Sequence, residues 1–286
     1  MTKLQKISKE LEKRGIENRV EFIHKNNQEL EALLIYPSNG ATPTLYEEFF
    51  TKESIEDLAD EALELYEEFI KSYTLNNDEI SKPEFILRNV YPAVCRKDRN
   101  EEMLADAIHS QVGETDLEMY LRVSVPDGSF KLTRNIVESA ELTDDELIAA
   151  ALNNRQYSIR NVAEVMAEQM GIPADTFDPM PMNVLTNDDG WYGAAGICKT
   201  DILKAALQKF ECNKIFIIPS SIHEVLCIPG NLASADDINQ MIREVNDTVV
   251  EERDVLSDHA YVFDGKKVRN TSEDFDSEFE IDELFA

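Results

Sequence analysis

Residues 183–230, NVLTNDDGWYGAAGICKTDILKAALQKFECNKIFIIPSSIHEVLCIPG, restrict the fold more than any other part of the chain. A strand is expected to begin at 184–186. Asn187, Asp188, Asp189 and Gly190 follow, residue types that tolerate positive φ and turn the chain. Residues 191–197 read as the returning strand, with small side chains that let a helix pack close. Thr200 is placed to cap the next helix and Asp201 to favour its positive end. Ile202, Leu203, Ala206, Leu207 and Phe210 give that helix an apolar side. Residues 215–218 have the unbroken apolar character of a buried strand, Pro219, Ser220 and Ser221 turn, and 225–228 leave as another strand. Hairpin, helix, hairpin is the order of an α+β fold in which an antiparallel sheet carries helices packed on one face.

The flanking sequence fits the same class. Leu4, Ile7 and Leu11 are spaced for a helix that Gly15 stops, and 20–23 and 30–36 read as short strands. Residues 52–72 are the strongest helix signal, with Leu58, Ala59, Ala62, Leu65 and Phe69 on one side. Residues 83–92 read as a strand or helical turn, 100–109 as a helix, and 117–125 as a strand that turns at 126–128 and returns over 130–137. Thr143 and Glu146 form a capping-box pattern. A further helix is expected from Ser158 to the Gly171-Ile172-Pro173 stop, and another behind Ser234, followed by a terminal hairpin at 260–268. The expected organisation is an N-terminal helix at 1–19, α+β subdomains at 20–180 and 181–268, alike in class but without a sequence repeat, and an acidic flexible tail at 269–286.

Charge limits the partners. Lys and Arg number 28 and Asp and Glu 57, a formal net charge of −29. Such a surface repels nucleic-acid phosphates and anionic membranes. The expected partner is a basic or nucleic-acid-binding host protein, with neither direct nucleic-acid binding nor membrane binding; the same charge also serves solubility. Glu53, Glu56, Asp57, Asp60, Glu61, Glu64, Glu67 and Glu68 line the second helix without an intervening base, readable as a solvated face or a docking stripe. After residue 270, acids alternate with Phe279, Phe285 and other apolar side chains, either a solubilising tail or a peptide that acids steer and aromatics anchor. Cys95, Cys198, Cys212 and Cys227 form no CxxC pair, and three lie in apolar surroundings, as free thiols in a reducing cytoplasm do.

No P-loop, dinucleotide-binding glycine motif, zinc-protease motif or nucleophile elbow occurs. The four histidines are scattered without zinc spacing, so neither metal nor cofactor is expected. Ser220, Ser221, His223 and Glu224 are the best candidate for a ligand or acid–base site, since a turn between strands exposes side chains on a rigid scaffold. Adjacent strand residues face opposite ways, however, which argues against a His223–Glu224 relay. Asp188, Trp191 and Tyr192 lie beside this turn in the sequence, the first as a weak cation ligand or turn residue and the aromatics as a stacking platform or core edge. An acidic, non-enzymatic interaction protein is the leading expectation, and an enzyme or small-ligand protein with its site at 220–224 is the alternative.

The segments VLTNDDGWYGAAGI, DILKAALQKF and FIIPSSIHEVLCIP resemble the bacterial DUF5688 family and, more distantly, DUF1444. The resemblance rests on Leu185, Thr186, Asn187, Tyr192, Gly193, Ala194, Ala195, Pro219, Ser220, Ser221, His223, Glu224 and Val225. RNVYPAV at 88–94, the hairpin at 118–136 and the helix from Thr143 also follow the family's order. The likeness is loose over 20–268 and close within 183–230. It carries over no catalytic residue. Relatives are similar to proteins of mobile elements and phages, which implies a host-interaction or anti-defence role.

Overall fold

In the computed structural model, which describes residues 1–36, 42–72, 77–126, 128–177 and 180–271, the chain opens with helix α1 (Lys3–Lys13). Thr2 and Gln5 cap it reciprocally, satisfying backbone donors that the first turn leaves open. Strands β1 (Asn18–Lys25), β2 (Gln28–Ile35) and β3 (Thr44–Tyr46) form an antiparallel sheet in that order. Helix α2 (Ile55–Ser72) closes this layer. Leu4, Ile7 and Leu11 are fully buried against Leu33 and Ile35 of β2 and Leu58, Ala59 and Ala62 of α2. Each fully buried leucine or isoleucine contributes about 2 kcal/mol through its removal from water.

Helices α3 (Asn77–Ile80) and α4 (Pro83–Asn89) lead into β4 (Val90–Arg96). After α5 (Glu101–Leu104) come β5 (His109–Gln111), β6 (Leu117–Val125) and β7 (Gly128–Lys131). Strand β6 is central to this second sheet and pairs antiparallel with β4, β5 and β7. Helices α6 (Arg134–Ser139) and α7 (Asp144–Asn154) follow. The third sheet contains β8 (Tyr157–Asn161), which precedes α8 (Val162–Met170), and β9 (Asn183–Asn187). It continues after α9 (Thr200–Phe210) with β10 (Ile215–Ser221) and β11 (Glu224–Pro229). Beyond α10 (Ala235–Thr248), β12 (Tyr261–Phe263) and β13 (Val268–Asn270) complete it. Its strand order is β13-β12-β10-β11-β9-β8, with every neighbouring pair antiparallel.

The α+β class read from the sequence is the one observed. The layering is richer than helices on one face. Because side chains alternate along a strand, Ile215 and Ile217 of β10 enter a core shared with α9 and with Val94, Leu117 and Met119 of the second sheet. Phe216 and Ile218 face the other way, onto Ile238 and Ile242 of α10. Strand β8 joins the sheet built by 183–270, so this sheet spans the 180/181 boundary expected between subdomains.

Several local expectations are corrected. Residues 191–197 do not return as a strand: Tyr192 adopts φ 54° and residues Gly193–Cys198 coil into a 3-10 turn. Ser158 lies in strand β8, because pairing with β9 outweighs the local helix signal, and the helix starts only behind the Asn161 cap. The return at 130–137 ends as a strand at Lys131 and becomes α6, while 100–109 yields only the short α5 and leads into β5. Residues 83–92 divide between α4 and β4. Lys199, rather than Thr200, occupies the cap position of α9. The tail expected at 269–286 is corrected at its start, where Arg269 and Asn270 pair with β12 as part of β13, and from 272 onward it lies outside the described residues.

The capping box at Thr143–Glu146 is present, as are the Ser234 cap and the left-handed Gly171 stop. Thr143→Ala is expected to cost about 1 kcal/mol. Coincident urea denaturation curves for the variant and the parent would refute that contribution.

Candidate functional site

A cleft of about 860 Å³ opens where the first sheet meets the other two, within the usual range for small-molecule sites of roughly 300–1,000 Å³. Strand β1 contributes Phe22 and Lys25, and the 3-10 turn Glu47–Phe49 contributes Glu48 and Phe49. Tyr120 and Arg122 enter from β6 and Ser129 from β7. The loop after β9 supplies Trp191 and Tyr192, the β10–β11 turn His223, and the 3-10 turn Glu252–Asp254 supplies Arg253 and Asp254.

An asparagine clasp ties the first wall to the rest. At the β1–β2 turn, Asn26 Nδ2 donates to the Arg253 and Val255 carbonyls at 3.0 and 2.9 Å. Asn27 Nδ2 donates to the Glu252 and Val255 carbonyls at 3.0 and 2.7 Å. Asn100 accepts from the Asn27 backbone N–H at 2.8 Å and donates to its side-chain oxygen at 3.0 Å. Asn27 sits at φ 61°, a left-handed conformation that asparagine tolerates better than most residues.

The Tyr192–His223 corner forms another wall. His223 Nδ1 accepts the Tyr192 backbone N–H at 3.2 Å, and Nε2 lies 3.5 Å from Asp254 Oδ1. The imidazole is edge-on to Trp191, with centroids 5.0 Å apart. A nitrogen that accepts a backbone N–H holds the ring proton on the other nitrogen, so the ring fastens three segments together. Gly193 follows in a space without room for a side chain. A Cβ there would come within 2.9 Å of the Asn187 nitrogen and closer still to Thr186 Oγ1 and the His223 carbonyl. Backbone strain of the Tyr192 kind persists where surrounding structure enforces it and concentrates at functional sites.

Electrostatics distinguish the cleft from the rest of this acidic molecule. Arg253 is paired with Glu48 at 2.8 Å and Glu251 at 2.7 Å, and Lys131 with Asp106 at 2.6 Å. Arg122 instead hydrogen-bonds Ser129 Oγ and its carbonyl, at 2.9–3.0 Å, and lies 4.8 Å over the Tyr192 ring. Lys25 lies 5.2 Å over the Tyr46 ring. Neither Arg122 nor Lys25 has a carboxylate ion pair among the described residues. Burial first, and then the positive charges of Arg122 and Arg253, depress the Lys25 ammonium below its usual range, against a smaller opposing effect of Glu48.

The candidates from the sequence divide. Trp191, Tyr192 and His223 come together in this cleft. Asp188 lines a separate depression with Asp189, whose carboxylate pairs with Arg155. Ser220 Oγ donates to Glu224 at 3.2 Å, and Ser221 Oγ accepts the His223 N–H at 3.0 Å. These three residues therefore brace the turn, and Glu224 forms no relay with His223.

The acids of α2 are partly committed to local contacts. Asp57 bonds the Ser54 hydroxyl, Arg14 reaches Asp60 at 2.5 Å, Glu61 accepts from Thr51 and Lys52, and Lys71 approaches Glu67 at 3.4 Å. Glu53, Glu56 and Glu64 are exposed. Phe279 and Phe285 lie outside the described residues. Burial raises the Cys198 and Cys227 thiols to about 12 and Cys95 further still, unlike the depressed thiols of reactive cysteines. Among the described residues, His24, Glu29 and Glu102 bring three potential metal donors within 4.8 Å of one another. All three are exposed, and His24 Nε2 lies 3.3 Å from Glu29 and 2.9 Å from Glu102, so contacts of the imidazole with the two carboxylates account for their approach.

Lys25, Arg122, Arg253, Phe22 and Phe49 were not legible as site residues. One sign was available: β6 carries two charged residues, Glu118 and Arg122, within an otherwise uncharged strand. Glu118 is matched by His109 at 3.0 Å and Lys97 at 3.4 Å, which leaves Arg122 to be explained.

Fold and site together define an α+β protein of three antiparallel sheets with a cationic, aromatic-lined cleft at their junction. The chain belongs to DUF5688, a family of unknown function whose model matches residues 2–265. No curated protein and no solved structure matches it. Among the described residues, no helix is long and apolar enough to cross a membrane.

Proposed function

We propose that the chain binds a small anionic ligand in the cleft, with Arg122 and Lys25 as its charge-recognition pair. The observation that carries this reading is their electrostatic isolation. Two cations in a protein of net charge −29 lie near enough for one to depress the other's pKa, and neither is ion-paired to a carboxylate among the described residues. Arg122 is half-buried and Lys25 exposed, so an anion can reach both, and it gains charge-assisted hydrogen bonds from cations that no carboxylate among the described residues ion-pairs. A phosphate monoester suits the pair: it brings close to two charges at neutral pH and several strong acceptors, which a guanidinium and an ammonium recognise by charge. The acidity of the remaining surface favours a compact ligand over a long polyanion. The reading assigns binding alone: His223 Nδ1 accepts the Tyr192 N–H, which fixes the imidazole in the wall of the cleft.

Ligand binding to the native state alone raises stability by about 2.7 kcal/mol at one hundred times Kd. Millimolar phosphomonoester is therefore expected to raise Tm in the parent protein, with ionic strength held constant by chloride. Arg122→Gln should abolish the rise and Lys25→Gln reduce it. Equal rises in parent and Arg122→Gln protein, or none with any phosphomonoester tested, would count against the proposal.

A further inference from the structure

Phe22, Phe49 and Trp191 come from three distant parts of the chain, and they are 63%, 45% and 64% exposed. They are the exposed aromatic side chains among the described residues, and all three line the same cleft. Scattered exposed apolar residues need no explanation, but their convergence on one cavity does. The ring contact that Trp191 makes is edge-to-face, at 86° to His223. That arrangement fixes the indole at the mouth without a parallel partner stacked on it. Tyr192, beside it, is already occupied by the Arg122 guanidinium.

Resting on the anion-binding reading above, we infer that the ligand is a phosphate monoester carried on a flat heterocyclic ring, of the nucleoside 5′-monophosphate class, and that Trp191 stacks on the ring. The two ends of such a molecule match the two features of the cleft. The phosphate takes the Arg122–Lys25 pair, while the ring takes the exposed aromatics. An aliphatic phosphate would use the first and leave the second in water. A single-stranded nucleic acid would use both but must carry further phosphates along a surface dominated by carboxylates, where repulsion opposes it. A mononucleotide has no such extension, and the volume of about 860 Å³ accommodates it.

The chain contains one tryptophan, so its fluorescence reports on Trp191 alone. The full-length protein is titrated with AMP, CMP, ribose 5-phosphate and adenosine at constant ionic strength, by fluorescence and calorimetry. Stacking on an aromatic side chain is worth tenfold or more in affinity, to order of magnitude. AMP or CMP is expected to quench the fluorescence and bind about tenfold tighter than ribose 5-phosphate. Trp191→Ala, checked for native circular dichroism, should reduce nucleotide affinity about tenfold and leave ribose 5-phosphate unchanged. Phe22→Ala provides a second variant. Equal affinity for nucleotide and ribose 5-phosphate overturns the ring and leaves the anion reading standing. Adenosine binding as tightly as AMP overturns the anion reading instead. Binding of neither nucleotide nor ribose 5-phosphate overturns both.

Discussion

Gly193→Ala is expected to destabilise the protein by about 3 kcal/mol, a fall in Tm of roughly 6–12 °C. The added methyl would meet the Asn187 nitrogen and the His223 carbonyl, main-chain atoms of β9 and of the β10–β11 turn. Neither can swing aside as a side-chain tip would. Strand β9 is fixed by β8 and β11, and the turn is braced by Ser220, Ser221 and Glu224. The strain must therefore move the backbone that carries Tyr192 and Trp191, and ligand affinity should fall with stability. Gly190→Ala is the matched control. Gly190 has φ +69° but nothing within 4 Å of its would-be Cβ, so only the conformational penalty of about 1 kcal/mol applies. Equal melting temperatures for the two variants would show that the close approach at Gly193 is not what constrains it.

Asp116→Ala should cost about 2–3 kcal/mol, because it leaves several partners without their acceptor. Tyr261 donates to Asp116 Oδ1 at 2.9 Å, while His259 Nε2 lies 3.2 Å and Arg96 Nε 3.4 Å from Oδ2. Arg96 also reaches Asp258 at 2.6 Å. The cluster bolts the β5–β6 connection onto β12 and the segment before it. Its pH dependence has a defined sign. Burial alone would raise Asp116, but hydrogen bonds from His259 and Tyr261, with the charge of Arg96, hold it below the usual carboxylate range. Burial is likewise outweighed at Asp258 by Arg96. For these acids the stabilisation is present above the unfolded carboxylate pKa of about 3.9 and is lost as pH falls through the depressed folded values. Burial would lower His259, but the hydrogen bond and charge of Asp116, aided by Asp258, raise it. Its stabilisation is full below about 6.5 and is lost as pH rises through the elevated folded value. The cluster is therefore strongest between these limits. Melting curves of parent and His259→Gln protein from pH 5 to 8 should show the parent losing stability relative to the variant toward pH 8. Parallel curves would exclude the His259 contribution.

What the sequence disclosed was local. Thr143 with Glu146, Ser234 and Gly171 act within one turn of chain, and each works as its residue type predicts. The apolar runs of β10 and β11 were equally legible, since an unbroken run of apolar residues marks a strand covered on both faces. The 3-10 turn after Tyr192 was not, because small residues suit a close-packed strand as well as a close-packed turn. The choice was made by the Thr186 hydroxyl and the Asn187 and His223 backbone pressing on Gly193. The cleft was legible only in the Trp191, Tyr192 and His223 corner, where sequence neighbours are also spatial neighbours. Its charge centre was hidden because Lys25 and Arg122 share no periodicity. Arg122 is unusual only after Glu118 has been matched to His109 and Lys97.

The asparagine clasp has a consequence for biosynthesis. The hydrogen bonds from Asn26 and Asn27 to residues 252–255 join positions 225–229 apart in the chain, so, apart from the Asn100 contact, the clasp cannot close until residues 252–255 have left the ribosome. At elongation rates of about 5–20 residues per second, the nascent N-terminal layer waits roughly 10–45 s for its anchor. Throughout that interval Phe22 and Phe49 belong to an unfinished rim, open to chaperones and to neighbouring nascent chains. A cleft whose walls are separated by most of the polypeptide is among the last features to be completed.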